Sequence, residues 1–158
     1  MYTHILIAID DSATSLKALE EAILLAKQQN AKLEIIHAVD ESILQTVTTH
    51  GEMLAPADQL QRSMANSGDA ILEDARRMAE EAGISPLTKL LVSRDQHAAD
   101  QITEAVEQSK PDLLVVGSHG RRGFKRLLLG SVAEDLVRKV SVSMLIVRGL
   151  DETAVEEQ

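Results

Sequence analysis

The chain of 158 residues contains no cysteine and no tryptophan, and only one tyrosine and one phenylalanine. Without cysteine it forms no disulfides, has no thiolate chemistry and cannot build a cysteine-type zinc site. These absences fit a reducing compartment, and we expect a cytoplasmic protein. With so few aromatic rings, the chain lacks the stacking platforms that hold single-stranded nucleic acid. Its core must therefore be aliphatic.

Charge and hydropathy argue against two further classes of protein. The 16 Lys and Arg residues are outnumbered by 25 Asp and Glu, for a net charge of −9. Proteins that bind duplex nucleic acid gain most of their affinity by neutralising phosphates with positive side chains. No apolar run approaches the ~20 residues of a membrane-spanning helix. We therefore expect neither nucleic-acid binding nor membrane insertion.

Several common catalytic and binding motifs are also absent. The sequence has no G-x4-G-K-[ST] P-loop, no G-x-G-x-x-G after its first apolar run, and no G-x-S-x-G nucleophile elbow. The histidines show no spacing typical of metal ligands, so each is interpreted as a structural or surface residue. Only the histidine in the glycine-rich loop merits a test. The five histidines are His4, His37, His50, His97 and His119.

Short apolar runs alternate with segments of helical periodicity, which predicts a parallel α/β sheet covered by helices on both faces. In such a sheet, ligands bind outside the carboxyl ends of the strands. Asp10, Asp40 and the loop after Val116 are therefore predicted to meet at one crevice. We expect one domain over residues 1–148 and an acidic, frayed tail over 149–158. The predicted strands are 2–9, 33–39, 87–92, 113–116 and 142–147, and the predicted helices are 13–30, 60–82, 95–110 and 132–139.

Two of the predicted helices carry further local signals. Asp95 is positioned to cap the helix over 95–110. Gly68 lies inside the apolar face of the long helix, where it costs about 1 kcal/mol relative to alanine. We therefore expect a bend or close packing at Gly68.

The loop after the fourth strand is rich in glycine and in positive charge. Glycines let backbone N–H groups approach an anion, and a helix N-terminus adds the positive end of its dipole. Ser131 and Glu134 have the spacing of a capping box, so the Ser131 hydroxyl either caps its helix or contacts phosphate. The pattern favours an anionic ligand over a plain turn. The residues concerned are Gly117, Gly120, Gly123 and Gly130, with Arg121, Arg122, Lys125 and Arg126 between them.

The spacing Gly117-x2-Gly120-x9-Gly130-Ser131 resembles the nucleotide loop of the universal stress protein family, in its ATP-binding branch. Residues 5–12, 36–39 and 142–148 are similar to that family's first, second and last strands, so the resemblance covers about residues 2–148. It implies a Rossmann-like sheet of the adenine-nucleotide alpha hydrolase type, with five parallel strands in the order 3-2-1-4-5 and helices on both faces.

The resemblance also implies a set of cofactor-binding residues. In this interpretation Ala8 and Ala38 border the adenine, and Asp10 meets the ribose or adenine side. The glycines and the start of the following helix take the phosphates. The complete predicted set is Ala8, Asp10, Ala38, Val116, Gly117, His119, Gly120, Arg121, Gly130, Ser131 and Val132. No catalytic residue and no metal ligand is predicted within the chain.

These features together predict a cytoplasmic ATP-binding regulator of the stress response, with Mg²⁺ accompanying the ATP. The nucleotide is expected to act as a conformational ligand that controls oligomerisation or an unidentified protein partner. One alternative is a slow ATPase or a nucleotidyl or phosphoryl transferase on the same fold, and another is a nucleotide-free interaction module. A homodimer through residues 142–147, or a higher oligomer built from it, is also predicted, because an apolar edge strand invites self-pairing.

Overall fold

A computed structural model of the chain describes residues 1–42, 57–120 and 129–149. Two predictions therefore lie outside the described residues: the role of Arg121, and fraying of the tail beyond Gly149. Within the described residues, no helix is both long and apolar enough to cross a membrane. The elements in chain order are β1 (His4–Ala8), α1 (Ala13–Gln29), β2 (Lys32–Asp40), α2 (Ala57–Glu81), β3 (Leu87–Ser93), α3 (Ala98–Ser109), β4 (Leu113–Gly117), α4 (Ser131–Lys139) and β5 (Ser143–Val147).

The five strands form one parallel sheet in the order β3-β2-β1-β4-β5. The predicted fold class and strand order are confirmed. β1 lies at the centre, where Ile7 pairs with Ile35 of β2 and also with Val115 of β4. β2 and β3 lie on one side of β1, whereas β4 and β5 lie on the other, so the strand order reverses between β1 and β4. A crevice for ligands opens at such a switch point, at the carboxyl ends of the strands.

The core has two layers, one on each face of the sheet. Ile5, Ile7 and Ile35 pack against α1 and α2, whereas Leu6 and Ile36 pack against α3 and α4. Successive side chains of a strand point to opposite faces, so a strand that is apolar at every position must be covered on both. This requirement explains the unbroken apolar runs of the central strands.

The starts of two helices differ from the sequence prediction. Asp95 does not cap α3, because the helix begins only after His97, which is its N-cap. The Ser93 hydroxyl accepts the amides of Asp95 (3.3 Å) and Gln96 (3.1 Å) and holds both in the turn before the helix. The predicted capping box at Ser131 is also wrong. The N-cap of α4 is Gly130, whose carbonyl accepts the amide of Glu134 at 2.9 Å. The Ser131 hydroxyl is therefore not committed to capping.

Gly68 in α2 confirms the predicted close packing. A Cβ atom added to it would lie 2.6 Å from Leu90 Cδ1 and 3.0 Å from His37 Cδ2. The absence of a side chain lets α2 lie directly on β2 and β3. This contact places Ser63, Met64 and Ser67 of α2 beside the carboxyl edge of the sheet.

Asp112 ties the start of β4 to the start of β1, and we expect it to make stability depend on pH. Its carboxylate accepts the amides of Thr3 (2.8 Å) and His4 (3.0 Å) and the Thr3 hydroxyl (2.8 Å). Desolvation raises the pKa of Asp112, but these hydrogen bonds outweigh it and hold the pKa below its ordinary value. A carboxyl whose pKa is depressed by folding stabilises the protein above the unfolded-state pKa of about 4, and that contribution is lost as the pH falls through the folded-state value.

The variant Asp112→Asn should therefore lower the free energy of unfolding at pH 7 and leave a shallower fall in stability below about pH 4. Urea unfolding at several pH values measures both effects. The matched control is Asp69→Asn, which removes one exposed carboxylate from α2 and should leave the pH profile close to that of the wild type. Identical profiles for Asp112→Asn and the wild type would contradict the prediction.

Candidate functional site

A crevice of about 1360 Å³ opens where the carboxyl ends of β1, β2 and β4 face the first turns of α3 and α4. This exceeds the roughly 300–1,000 Å³ of common small-molecule pockets, so a whole nucleotide has room. Every predicted site residue that the structure describes lines it, whereas Arg121 is outside the described residues. The predicted residues on its wall are Ala8, Asp10, Ala38, Val116, Gly117, His119, Gly120, Gly130, Ser131 and Val132.

One end of the crevice is made of backbone. The amide of Gly130 donates to the carbonyl of Ser118 at 2.6 Å, which fixes the start of α4 against the end of β4. A Cβ atom on Gly130 would lie 3.1 Å from that carbonyl oxygen and 3.3 Å from His119 Cα. The first amides of a helix have no carbonyl partner within it, and Ser131 and Val132 carry them at the crevice wall. Such an arrangement binds anions.

Asp10 stands beside this backbone surface at the end of β1. Its Oδ1 accepts the amide of Ser12 at 2.8 Å, and its own amide donates to Ser15 Oγ at 2.8 Å. A Cβ atom on Gly120 would lie only 2.7 Å from Asp10 Oδ2. Glycine at position 120 is therefore what lets the loop lie against the carboxylate. The site thus has a fixed acceptor next to its anion-binding end.

The middle of the crevice is lined by apolar side chains. Ala8 and Ala38 lie on the sheet, and both pack against the core layer beneath α3 and α4, to which Ala99, Ile102 and Val116 belong. Small side chains on the strands leave space above the sheet, whereas Ile102 and Val116 supply apolar contact area. A flat, apolar ring system fits between such walls.

A polar cluster of Asp40, Ser42 and His97 forms the far rim of the crevice. Asp40 Oδ1 accepts the amide of Ser42 at 2.9 Å and also its hydroxyl, and Asp40 Oδ2 lies 3.1 Å from His97 Nδ1. Desolvation raises the pKa of Asp40, but the hydrogen bonds from Ser42 and His97 outweigh it and hold the pKa below its ordinary value. Asp40 is thus a carboxylate at neutral pH.

Sequence reasoning missed two features of this site. It placed Asp40 at the crevice but did not pair it with His97, from which it is separated by 57 positions. It also passed over Ser118, which is 1% exposed and joins three elements. The amide of Ser118 donates to the carbonyl of Val147 at 2.8 Å, and its own carbonyl accepts the amide of Gly130. Its hydroxyl lies 3.0 Å from His119 Nδ1. Its position directly after β4 and before the glycine loop was the available signal.

The sheet, its switch point and the crevice define a doubly wound α/β protein. The family model described as "Universal stress protein family" matches residues 1–148, and the chain belongs to that family. The predicted membership of the universal stress protein family is confirmed.

Curated relatives extend over nearly the whole chain. Universal stress protein YxiE of Bacillus subtilis is 34% identical, over 94% of this chain and 100% of the relative. Universal stress protein MJ0531 of Methanocaldococcus jannaschii is 32% identical, over 94% of this chain and 83% of the relative.

Two solved structures bear on the fold and the site. MJ0577, also of Methanocaldococcus jannaschii, superposes with a TM-score of 0.82 at 22% identity over 96% of this chain and 99% of that chain, which supports the fold. A universal stress protein described as in complex with cAMP superposes with a TM-score of 0.64 at 28% identity, over 93% of this chain and 97% of that one.

Proposed function

We propose that this protein binds ATP in the crevice and acts as a nucleotide-dependent regulator in the stress response, in the cytoplasm. The observation that carries the proposal is the order of chemistries along the crevice: an anion-binding backbone, then the carboxylate of Asp10, then the alanine-lined slot. This order matches phosphates, ribose and base. The cAMP complex of the 28% identical family member shows that a related protein accommodates an adenine nucleotide.

The phosphates are assigned to the end formed by Gly120, Gly130 and the first turn of α4. Helix N-termini and glycine amides suit phosphate oxygens, and four Lys and Arg residues lie in positions 121–126 of the sequence. Within residues 1–42, 57–120 and 129–149, no three His, Asp or Glu side chains gather in a way that could hold a metal ion. We therefore assign Mg²⁺ to the phosphates of ATP, which is a common mode of binding for this ion.

ATP is proposed to act as a ligand that is at most slowly hydrolysed. Rapid phosphoryl transfer needs a residue that positions the attacking group and charge stabilisation beside the γ-phosphate. His119 and Ser131 are the described side chains of the phosphate end that could orient a water molecule, and His119 is hydrogen-bonded to Ser118. Steady turnover of ATP, alone or with a small acceptor, would favour the transferase or ATPase alternative.

The nucleotide is proposed to regulate through assembly or through a protein partner. α4 lies between the phosphate end of the crevice and β5, because it begins at Gly130 and leads directly into that edge strand. A ligand held at the start of α4 can thus bias the position of β5. We propose that residues 1–148 form the nucleotide-binding domain and that two copies pair through β5.

The Asp10 assignment gives the proposal a sharp test. Asp10→Asn keeps an Oδ1 acceptor for the Ser12 amide but turns Oδ2 into a donor. We expect ATP and adenosine to lose similar free energies, about 1.5–3 kcal/mol, because both lose the same charged hydrogen bond to ribose. Isothermal titration calorimetry with each ligand measures this loss, and nucleotide recovered intact from the wild-type complex distinguishes binding from turnover.

The control for this experiment is Glu20→Gln, which removes an exposed carboxylate from α1 and should leave both affinities unchanged. A loss confined to ATP would place Asp10 at the phosphates and overturn its assignment to ribose. Wild-type protein that binds neither ligand at millimolar concentration would overturn the proposed function itself.

A further inference from the structure

The apolar slot ends at the Asp40, Ser42 and His97 cluster, and nothing in the proposed function uses that cluster. Residues two apart on a strand share a face and lie roughly 6.6 Å apart. Asp40 is therefore the next residue outward from Ala38 on the face of β2 that looks toward α3, and its contact with His97 at the start of α3 agrees with this. Asp40 closes the outer end of the slot whose floor is Ala38.

The carboxylate is held in a fixed orientation. Ser42 donates both its amide and its hydroxyl to Oδ1, and Asp40 is ionised and can only accept, so the proton between it and His97 lies on His97 Nδ1. Each carboxylate oxygen has two lone pairs, and the side chain is 21% exposed at the crevice. Oδ1 is filled by its two donors from Ser42, so one acceptor position, on Oδ2, remains available at the crevice wall.

Adenine has one strong hydrogen-bond donor on its base edges, the 6-amino group, whereas its ring nitrogens accept. An acceptor-only group at the end of an adenine slot can pair only with that amino group. We propose that Asp40 reads the 6-amino group of the bound adenine and is the residue that selects the base, with Ser42 and His97 as positioning residues. This inference rests on the proposed function, since it requires an adenine nucleotide in the crevice.

The test uses nucleotides that differ only at the base. Calorimetry on the wild-type protein should find ATP about 10- to 100-fold tighter than purine riboside 5′-triphosphate, which lacks the amino group and so loses one hydrogen bond to a charged group. Inosine 5′-triphosphate should bind more weakly still, because its 6-oxo group faces the carboxylate. This series needs no variant, so no folding defect can obscure it.

Asp40→Asn should then lower ATP affinity by about 10- to 100-fold while leaving purine riboside triphosphate within about threefold of its wild-type affinity. The matched control is Asp95→Asn, which removes the same charge from an exposed position on the same rim and should leave ATP affinity unchanged or slightly raised. Long-range electrostatics alone predicts the opposite sign, since removing negative charge favours an anionic ligand. Circular dichroism and thermal melts confirm that both variants are folded.

The outcomes separate the two proposals. If the wild type binds the three nucleotides equally, or if Asp40→Asn weakens all three equally, then Asp40 does not recognise the base. The proposal that the protein binds ATP is unaffected by either result. Inosine triphosphate as tight as ATP would mean that the carboxylate pairs with the N1–H of a 6-oxopurine, which also overturns the assignment. A wild type that binds none of them overturns the proposed function and this inference with it.

Discussion

Gly130→Val is expected to abolish ATP binding, with a loss of about a hundredfold or more. Gly130 is where α4 begins, and its amide donates to Ser118 across the loop. Even a single Cβ atom there would lie 3.1 Å from Ser118 O and 3.3 Å from His119 Cα. The branched side chain of valine must therefore push the start of α4 away from the end of β4.

The expected size of this loss follows from the number of donors that move together. Phosphate at this end is proposed to take amides from both the loop and the first turn of α4, and hydrogen bonds to a charged group contribute about 1.5–3 kcal/mol each. Displacing the helix start by even 1 Å breaks more than one of them at once. Calorimetry should therefore find ATP lost while adenosine, which has no phosphate, is weakened far less.

The control must separate this local effect from general instability. Gly83, beyond the end of α2, has a φ of +87° and no atom within 4 Å of an added Cβ. Gly83→Ala strains the backbone between α2 and β3, away from the start of α4. It should therefore lower the midpoint temperature of thermal unfolding yet leave ATP affinity unchanged. Unchanged ATP affinity in Gly130→Val would overturn the assignment of the phosphates to the start of α4.

The local rules that predicted the fold are those that depend on neighbouring residues in sequence. Apolar runs such as 113–116 are buried on both faces of the sheet, and Asn30 ends α1 with a φ of 53°, as the helix-end signal predicted. The predicted start of α3 was wrong because the chain makes a further turn before the helix. The Ser93 hydroxyl accepts the amides of Asp95 and Gln96 and holds both in that turn, so His97 rather than Asp95 is the N-cap.

The position of the site was predictable because it follows from where the strands end in the sequence. Asp10 and Gly120 were both placed at the crevice, but their close contact could not be read from residues 110 positions apart in the chain. The pairing of Asp40 with His97 requires α3 to dock on the sheet first. Contacts of this kind arise from tertiary packing, and no periodicity in a single sequence encodes them.

The second large effect concerns assembly through β5, which lies at one end of the sheet and has an apolar sequence. The carbonyl of Val147 accepts the amide of Ser118, which follows β4. Backbone groups of a strand point to alternate sides from one residue to the next. Those of Leu145 therefore also face β4, and those of Met144 and Ile146 face the open edge.

This alternation yields two proline variants with opposite expectations. Met144→Pro removes an N–H from the open edge, where proline is tolerated, so it should keep the fold but prevent two copies from pairing. Leu145→Pro removes an N–H that donates to β4, so it should lower the free energy of unfolding by about 1–3 kcal/mol or more. Light scattering should report a dimer for the wild type and a monomer for Met144→Pro, with circular dichroism unchanged between them.

The opposite edge of the sheet supplies the control. Ser93 O accepts the amide of Glu41, which follows β2, so by the same alternation Thr88 presents its N–H to the open edge of β3. Thr88 and Met144 each stand second in an edge strand, and Thr88→Pro should leave the dimer intact. A dimer that survives Met144→Pro but dissociates in Thr88→Pro would move the interface to β3.

A wild type that is already a monomer at roughly tens of micromolar, where pairing by mass action would be detectable, would overturn pairing through either edge. Self-pairing through β5 would satisfy its outward amides and carbonyls across a two-fold axis and close the sheet to further growth. We therefore expect this edge, which follows directly on the helix proposed to hold the phosphates, to be the one that assembles.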